Sequence, residues 1–530
     1  MRSRAVVVTA VFAVALVSGG WLMQAGYDGR GRHYVTRERL FDEVLQHVEN
    51  FYVDTVDEDV LYRKAVDGML LELHDPHSVY LPPDRLARLN ESTTGRYAGV
   101  GIQMDVRDGW ITVVAPLPGT PAQRAGIVTG DRVVEIDGRP TRSWTSDEAL
   151  KALRGRPGSV VRVVIERPGN PTRLPFTLTR EEIHAHSVQH AILLRDSIGY
   201  VDVTIFSENS DEELRAAVDS LRARGMRALI FDLRGDPGGL LDQGVAIADL
   251  FLDPGQKIVS MRGRAKEADR DYVDRLPQPW PQLPVVVLVD SGSASASEIV
   301  AGALQDHDRA LIIGTTSYGK GSAQSLFPVS DSSALKLTTA LWYTPSGRSI
   351  NKAHANSEDD DDDQEAVRTL TGADTTRPKF KTDAGRTVLG GGGITPDVPV
   401  SDSVEDAAIA NLQIALGKHV ASFRDAMTDY ALSLKAKRTI TSPEFNVTPA
   451  MRAELYSRLR QRGANIPRTL FETDSTLINR LLADQIARYV FGPDAEYRRL
   501  LGRDRDVITA LGLLDRSRSQ QDLLRAGTKR

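Results

Sequence analysis

The sequence predicts a multidomain α/β protein, and three observations predict it. Residues 285–324 read strand, helix, strand, and the first strand, Val285 to Val289, is an uninterrupted apolar run. Such runs mark a parallel sheet covered by helices on both faces, where alternation disappears. Residues 96–182 form a separate stretch of short strand-like runs between glycine-containing turns. Beyond residue 400 the pattern turns helical. At 530 residues the chain exceeds what one core holds, and it divides into segments 1–34, 35–95, 96–182, 183–400 and 401–530.

Composition excludes several classes. The formal net charge is -5, with 66 basic against 71 acidic residues, which gives no electrostatic footprint for nucleic acid. Without cysteine there is no disulfide, thiolate nucleophile or zinc-thiolate site. Arg2 and Arg4 precede an uncharged run from Ala5 to Gly26; about 22 residues at 1.5 Å each cross a hydrocarbon core of roughly 30 Å. Segment 1–34 therefore reads as an inner-membrane anchor with the remainder on the periplasmic side. Cleavage near Ser18 to Gly20 would release a secreted form instead. Short helices are expected over 35–95, one with the apolar face Leu40, Phe41, Val44, Leu45, Val48 and Phe51, the next from Leu61 to Leu73. Pro76, Pro82 and Pro83 stop regular structure, and His74 and His77 in that turn are structural.

From 96 the runs RYAGVGIQMDV, GWITVVAPL, AGIVTGDRVVEIDG, VVRVVIER and LPFTLTREE read as strands, and Thr145 with Glu148 caps a short helix ending before Gly155. This stretch resembles a PDZ domain of the bacterial protease type. The resemblance implies a groove that takes a peptide C-terminus by strand addition. The loop Tyr97, Ala98, Gly99, Val100, Gly101 and Ile102 would hold the carboxylate, Gly99 and Gly101 freeing its backbone to turn N–H groups inward. Next comes HAHSVQH. His184, His186 and His190 alternate and share a face, but no carboxylate stands nearby at ligand spacing, so no metal is assigned.

The segment 183–400 opens with SIGYVDVTIFS, a strand, followed by a helix over 211–224 and by ALIFDLRGDPGG, a strand that breaks into a glycine-rich turn. After Val285 to Val289, Ser295 and Glu298 make a capping pair, Ile299, Val300, Ala303 and Leu304 continue at helical spacing, and Ala310 to Ile313 returns as a strand. A right-handed crossover brings Ser295 and Lys320, 25 positions later, to one edge of the sheet. A serine hydroxyl needs a base, and a lysine serves as one when desolvation keeps it neutral; Ile312, Ile313 and Leu326 are expected to bury it. By residue type and spacing alone, an N-cap serine and a surface lysine are the default reading, and the nucleophile is the alternative. GTTSYGK also fits part of a phosphate-binding loop, but Gly321 replaces the magnesium-binding hydroxyl and Pro328 precludes a following helix.

DLRGDPGG, SASASEIVAGALQD, SYGKGSAQ, WYTPSGRSI and GITPDVPV together resemble the C-terminal processing peptidases, or tail-specific proteases, over residues 35 to 400. The resemblance implies a crotonase-like, ββα-superhelix peptidase core with an inserted PDZ domain, flanked by N-terminal helices and a C-terminal helical region. It implies a serine endopeptidase that needs no cofactor and cuts proteins with apolar tails near their C-termini through an acyl-enzyme. Ser295 would be the nucleophile, Lys320 the general base and Gln324 its orienting partner, with Gly238 and Ala296 N–H groups as the oxyanion hole. Asp306 matches an acidic position of the motif, but eleven helical residues put it about 16 Å from Ser295 by rise, so it is structural. Two features depart from the family: asparagine is usual where Gly235 and Asp236 stand, and an insertion over about 352–390 carries the acidic run Ser357 to Glu365, expected to be a solvated loop. The alternative is a catalytically silent PDZ scaffold, against which the intact Ser295, Lys320 and Gln324 argue. Beyond 400, one helix starts at Thr448-Pro449 and ends before Gly463, and another runs from Asp474 to Gly492-Pro493 with the stripe Leu477, Leu481, Leu482, Ile486 and Val490. Their role stays open between a cap, a homo-oligomer arm and an adaptor-docking site.

Overall fold

The computed structural model describes residues 29–168, 170–329, 332–352, 377–400, 403–464 and 466–528. The apolar run Ala5 to Gly26 and the acidic run Ser357 to Glu365 lie outside them. Among the described residues no helix is long and apolar enough to cross a membrane. The chain forms two compact units, one of N-terminal residues through Pro83 with Gln324–Thr338, the other of Asp84–Ala323 with Thr339 onward.

In the first unit a single 23-residue helix, Gly29–Phe51, precedes the helix Glu58–Leu71. Asp57 caps the second, its carboxylate accepting from Val60 N–H at 3.2 Å. The Phe41 and Tyr62 rings meet at 5.8 Å, yet Leu40, Phe41, Val44 and Phe51 remain exposed. β1 (Val79–Leu81) pairs antiparallel with residues 334–336. Beside it Ser78 Oγ donates to Asp75 and accepts from Thr338 N–H.

In the second unit β2 (Arg96–Gly99) leads into β3 (Ile102–Arg107), β4 (Trp110–Pro116), β5 (Arg132–Ile136), β6 (Arg139–Pro140), β7 (Val160–Glu166) and β8 (Leu174–Thr179). These form a sheet in the order β3-β4-β5-β7-β8, with β6 beside β5. β9 (Glu181–His184) returns antiparallel to β2, so the domain hangs on a two-stranded stem. β3 is an edge strand. Ala149 and Leu153 of the helix Ser146–Leu153, capped by Thr145 and Glu148, share the domain's core with Val100, Val113 and Val133.

The chain continues through β10 (Val188–Leu194), β11 (Ile198–Val203), β12 (Ala228–Asp232), β13 (Lys257–Gly263), β14 (Arg270–Val273), β15 (Val285–Val289), β16 (Leu311–Gly314), β17 (Ser322–Pro328), β18 (Ala334–Tyr343), β19 (Lys379–Lys381), β20 (Thr387–Leu389) and β21 (Val398–Pro399). The core sheet is β10-β11-β12-β15-β16-β21, parallel except for β10. Helices Ser210–Ala223, Leu241–Asp249 and Ala296–Asp306 cover one face through Leu214, Val218, Ile247, Ile299 and Leu304. Leu501, Val507, Leu513, Leu514 and Leu523 cover the other. Two covered faces explain why β15 is apolar throughout and wholly buried. β13 pairs with β14 and with the second half of β18.

Two expectations change. The insertion is not loop throughout: β19 and β20 form a hairpin, anchored where Arg386 forms ion pairs with Asp308 and Asp397. The C-terminal region is part of the fold. Its last helices are the second layer on the core sheet, while Val420–Lys437, Pro449–Gln461 and Ser475–Ile486 build a core of their own around Phe423, Leu459, Phe471 and Leu482. That bundle contacts the strand-rich domain: Arg462 pairs with Asp108, and Lys435 Nζ donates to the Thr129 carbonyl at 3.1 Å.

Candidate active site

The turn after β15 is fixed to the turn after β12. Asp290 Oδ1 accepts from Gly235 N–H (2.8 Å), Gly292 N–H (2.9 Å) and Ser293 N–H (3.1 Å). The Asp236 carbonyl accepts from Ala294 N–H and from the Ser297 hydroxyl. Ser293 and Ser297 are thus buried structural donors, Ser293 Oγ reaching the Leu233 carbonyl at 2.8 Å. Between them Ser295 is only half-buried and is held at φ 55°, ψ -112°, a conformation that costs a non-glycine residue about 1–3 kcal/mol and collects at functional sites. Ser295 and Glu298 adopt the expected capping-box arrangement, but the Glu298 N–H bonds to the Ser295 carbonyl, and the serine hydroxyl makes no cap hydrogen bond.

Glu298 does more than cap. Its carboxylate is fully buried: Oε2 accepts from Ser295 N–H and from Lys320 N–H, both at 2.9 Å, while Oε1 accepts from Ser317 Oγ (2.6 Å) and Gly319 N–H (2.7 Å). One oxygen therefore fixes the backbone nitrogens of Ser295 and Lys320 no farther apart than twice that distance. Burial pushes the Glu298 carboxyl up, against four donors that favour the charged form. The expected approach of Ser295 and Lys320 is present. Lys320 is half-buried. Ile312 and Ile313 are buried as expected, but Leu326 is 45% exposed because it lies near the end of β17, whose last residues face out. Gly321 packs on Asn351, where a Cβ would come within 2.8 Å of backbone. β17 rather than a helix follows it, so no phosphate-binding helix N-terminus exists there. Gln324, on β17, belongs to the first unit, where its Nε2 donates to Thr338 Oγ1 at 3.3 Å.

Ala296 opens the helix, and its N–H has no intrahelical partner. Gly238 sits against it at φ 90°, where a Cβ would lie 2.8 Å from both Ala296 N and Ser295 Cβ. Its N–H, however, donates to Asp236 Oδ1 at 2.8 Å. In this conformation the N–H expected as an oxyanion donor is engaged by the Asp236 side chain. Asp236 is fully buried, burial pushes its carboxyl up to about 8, and its Oδ2 has no partner. Asp306, at the other end of the helix, accepts from Thr344 Oγ1 and Ser346 N–H and pairs with buried Arg348. It is structural, as its distance by rise implied.

In the strand-rich domain the Val100 carbonyl accepts from Ala122 N–H, and the Gly101 carbonyl from Leu117 N–H and Thr120 Oγ1. In a trans peptide the N–H points opposite to the carbonyl, so the Gly101 and Ile102 N–H groups face away from these contacts. Gly101 has φ 75°, and a Cβ there would lie 2.3 Å from Thr120.

Family models match the chain in three places: peptidase family S41 over residues 197–358, a PDZ domain over 112–167 and the N-terminal domain of the activating protease CtpB over 34–84. A carboxy-terminal-processing protease of Bartonella bacilliformis is 40% identical over 314 residues, covering 58% of this chain and 71% of that protein. The chain belongs to peptidase family S41, the carboxy-terminal processing proteases. This peptidase is also 33% identical to the carboxy-terminal processing protease CtpA of Bacillus subtilis, covering 60% of this chain and 68% of the relative. A solved photosystem II D1 C-terminal processing protease is 28% identical, with 68% of this chain and 86% of that chain covered and a TM-score of 0.36. The chain is a serine peptidase with an S41 core, a PDZ domain and helices at both ends.

Three acidic residues escaped the sequence reading. Glu298 was visible only as a cap, because its partners Ser317, Gly319 and Lys320 lie some twenty positions away. Asp236 stood out as a departure, but nothing in the sequence told which N–H it would hold. Glu213 left no signal near the histidines it approaches.

Proposed function

We propose that this peptidase cuts polypeptides near their C-termini with Ser295 as nucleophile and Lys320 as general base. The observation that carries the reading is the Glu298 carboxylate, which binds the backbone of both residues while leaving the serine in a strained, half-buried position. Neutral Lys320 takes the Ser295 proton as Oγ bonds to the scissile carbonyl carbon. The lysine then gives that proton to the departing amine, and water attacks the acyl-enzyme with Lys320 again as base. Gln324, four positions after Lys320, orients the lysine. Ala296 N–H supplies one oxyanion donor, and Gly238 N–H supplies the second once it exchanges Asp236 Oδ1 for the substrate oxygen. The PDZ domain selects free, apolar C-termini: the outer edge of β3, ahead of the Val106 carbonyl that Arg424 holds, receives the tail as a strand, and the Gly101 and Ile102 N–H groups receive its carboxylate. The arginine-flanked run Ala5 to Gly26 supports a location outside the cytoplasm, anchored in the inner membrane.

A non-cutting scaffold has one observation in its favour, the engaged Gly238 N–H. Incubating the chain with an unfolded protein bearing an apolar C-terminus decides between the readings. Fragments that Ser295→Ala fails to produce support the peptidase. Tail binding with no cleavage at any pH from 6 to 9 supports the scaffold.

A further inference from the structure

The fold supplies the carboxylate that the histidine run HAHSVQH lacks in sequence. Glu213, on the helix Ser210–Ala223, places Oε1 2.6 Å from His184 Nε2 and 3.4 Å from His186 Nδ1. The three ligand atoms all lie within 4.8 Å of one another. Glu213 Oε2 accepts from Val188 N–H at 3.1 Å, which fixes the carboxylate's orientation as an outer partner does at a metal centre. The third histidine leaves the set: His190 Nδ1 bonds to Asp202 at 2.7 Å, and its ring stacks on Tyr497.

We propose that His184, His186 and Glu213 form a binding site for a divalent transition cation of the zinc class. Two imidazoles and one carboxylate are a donor set that zinc accepts with a fourth position open to water, whereas magnesium and calcium prefer oxygen ligands throughout. Bonds of about 2.0–2.2 Å in a tetrahedron separate ligand atoms by roughly 3.3–3.5 Å. His186 and Glu213 already stand at that separation. His184 has to withdraw from the oxygen by a little under about 1 Å, and the two imidazole nitrogens, within 4.8 Å of each other, have to close to that same separation; side-chain rotations of histidines that are 29% and 65% exposed supply both movements. The two rings also pack edge to face with centroids 4.7 Å apart, which holds His186 with its Nδ1 toward the same oxygen. The placement also has a mechanical meaning. β9 is the strand by which the PDZ domain rejoins the core, and Glu213 is on the first helix of that core. A bound cation cross-links the stem to the peptidase.

The test is calorimetric titration of the chelator-treated chain with zinc chloride. One zinc per chain is expected, with affinity in the low micromolar range or tighter and no competition from millimolar magnesium or calcium. His186→Ala, at an exposed position, and Glu213→Gln, which keeps an oxygen for Val188 N–H, should each weaken binding by about tenfold or more. His419→Ala should leave it unchanged. Cobalt in place of zinc should give a visible absorption band that His186→Ala removes. Absence of saturable binding up to about 0.1 mM zinc, or binding that survives both substitutions, overturns the site.

Discussion

Ser293, Ser295 and Ser297 differ in what their hydroxyls do. The first and last donate to buried carbonyls, while that of Ser295 makes no cap hydrogen bond. Ser295→Ala should therefore lower cleavage by something on the order of 10⁶-fold with a melting temperature close to that of the parent. Ser293→Ala and Ser297→Ala each lose a buried hydrogen bond, at about 1 kcal/mol, and should melt lower; steady-state rates beside thermal melts separate the two classes. Glu298→Gln turns an amide NH₂ toward N–H donors whichever way it faces. It should reduce kcat by about 100-fold through misplacement of Ser295 and Lys320 and lower stability, with KM for a tail peptide little changed. Asp236 carries a pH signature. Its folded carboxyl is pushed up to about 8, above an unfolded value of about 3.9, so the folded state holds the proton more tightly. The associated stability is complete below about pH 4 and drains away as pH rises through about 8. Asp236→Asn should thus melt above the parent at pH 9, by a few kcal/mol at most in order of magnitude, with the gap closing toward pH 5. An equal gap at both pH values would mean that Asp236 is charged throughout.

At the scale of elements, the proposed tail site rests on an edge strand and one loop. With Ser295→Ala in place to prevent turnover, a peptide with a free apolar C-terminus should bind about tenfold or more tightly than its amidated form. Gly101→Ala should abolish the difference, since its Cβ meets Thr120 at 2.3 Å in a left-handed backbone. Fluorescence anisotropy on the full chain reads both, and equal affinities would remove the PDZ domain from tail selection. Elements with a strong local period were legible: β15 by its apolar run, the Ser295 helix by its capping pair, and the helix Pro449–Gln461 by Thr448, whose hydroxyl accepts from Met451 N–H. The hairpin of β19 and β20 was not, because its anchors are ion pairs from Arg386 to residues 308 and 397, and three-residue strands carry no period.

For the whole molecule, the C-terminal helices complete the peptidase core. Leu514 is fully buried against the sheet, and Leu514→Ala should cost about 2–5 kcal/mol. Removing residues 503–530 should give an insoluble or protease-sensitive chain, because it strips β15 and β16 of one covering layer; a truncated chain with the parent's melting curve would contradict this layering. Local chemistry encodes the strands and helices with clear periods, the glycine turns, and the approach of a serine and a lysine at one sheet edge through the handedness of a crossover. Long-range contacts supply the rest. They make Glu298 the shared anchor of Ser295 and Lys320, give the Gly238 N–H to Asp236, bring Glu213 to two histidines, and lay the last helices on the sheet. Each of these joins residues far apart in the chain through a hydrogen bond, an ion pair or a packed face, and such contacts leave no period or spacing in the sequence.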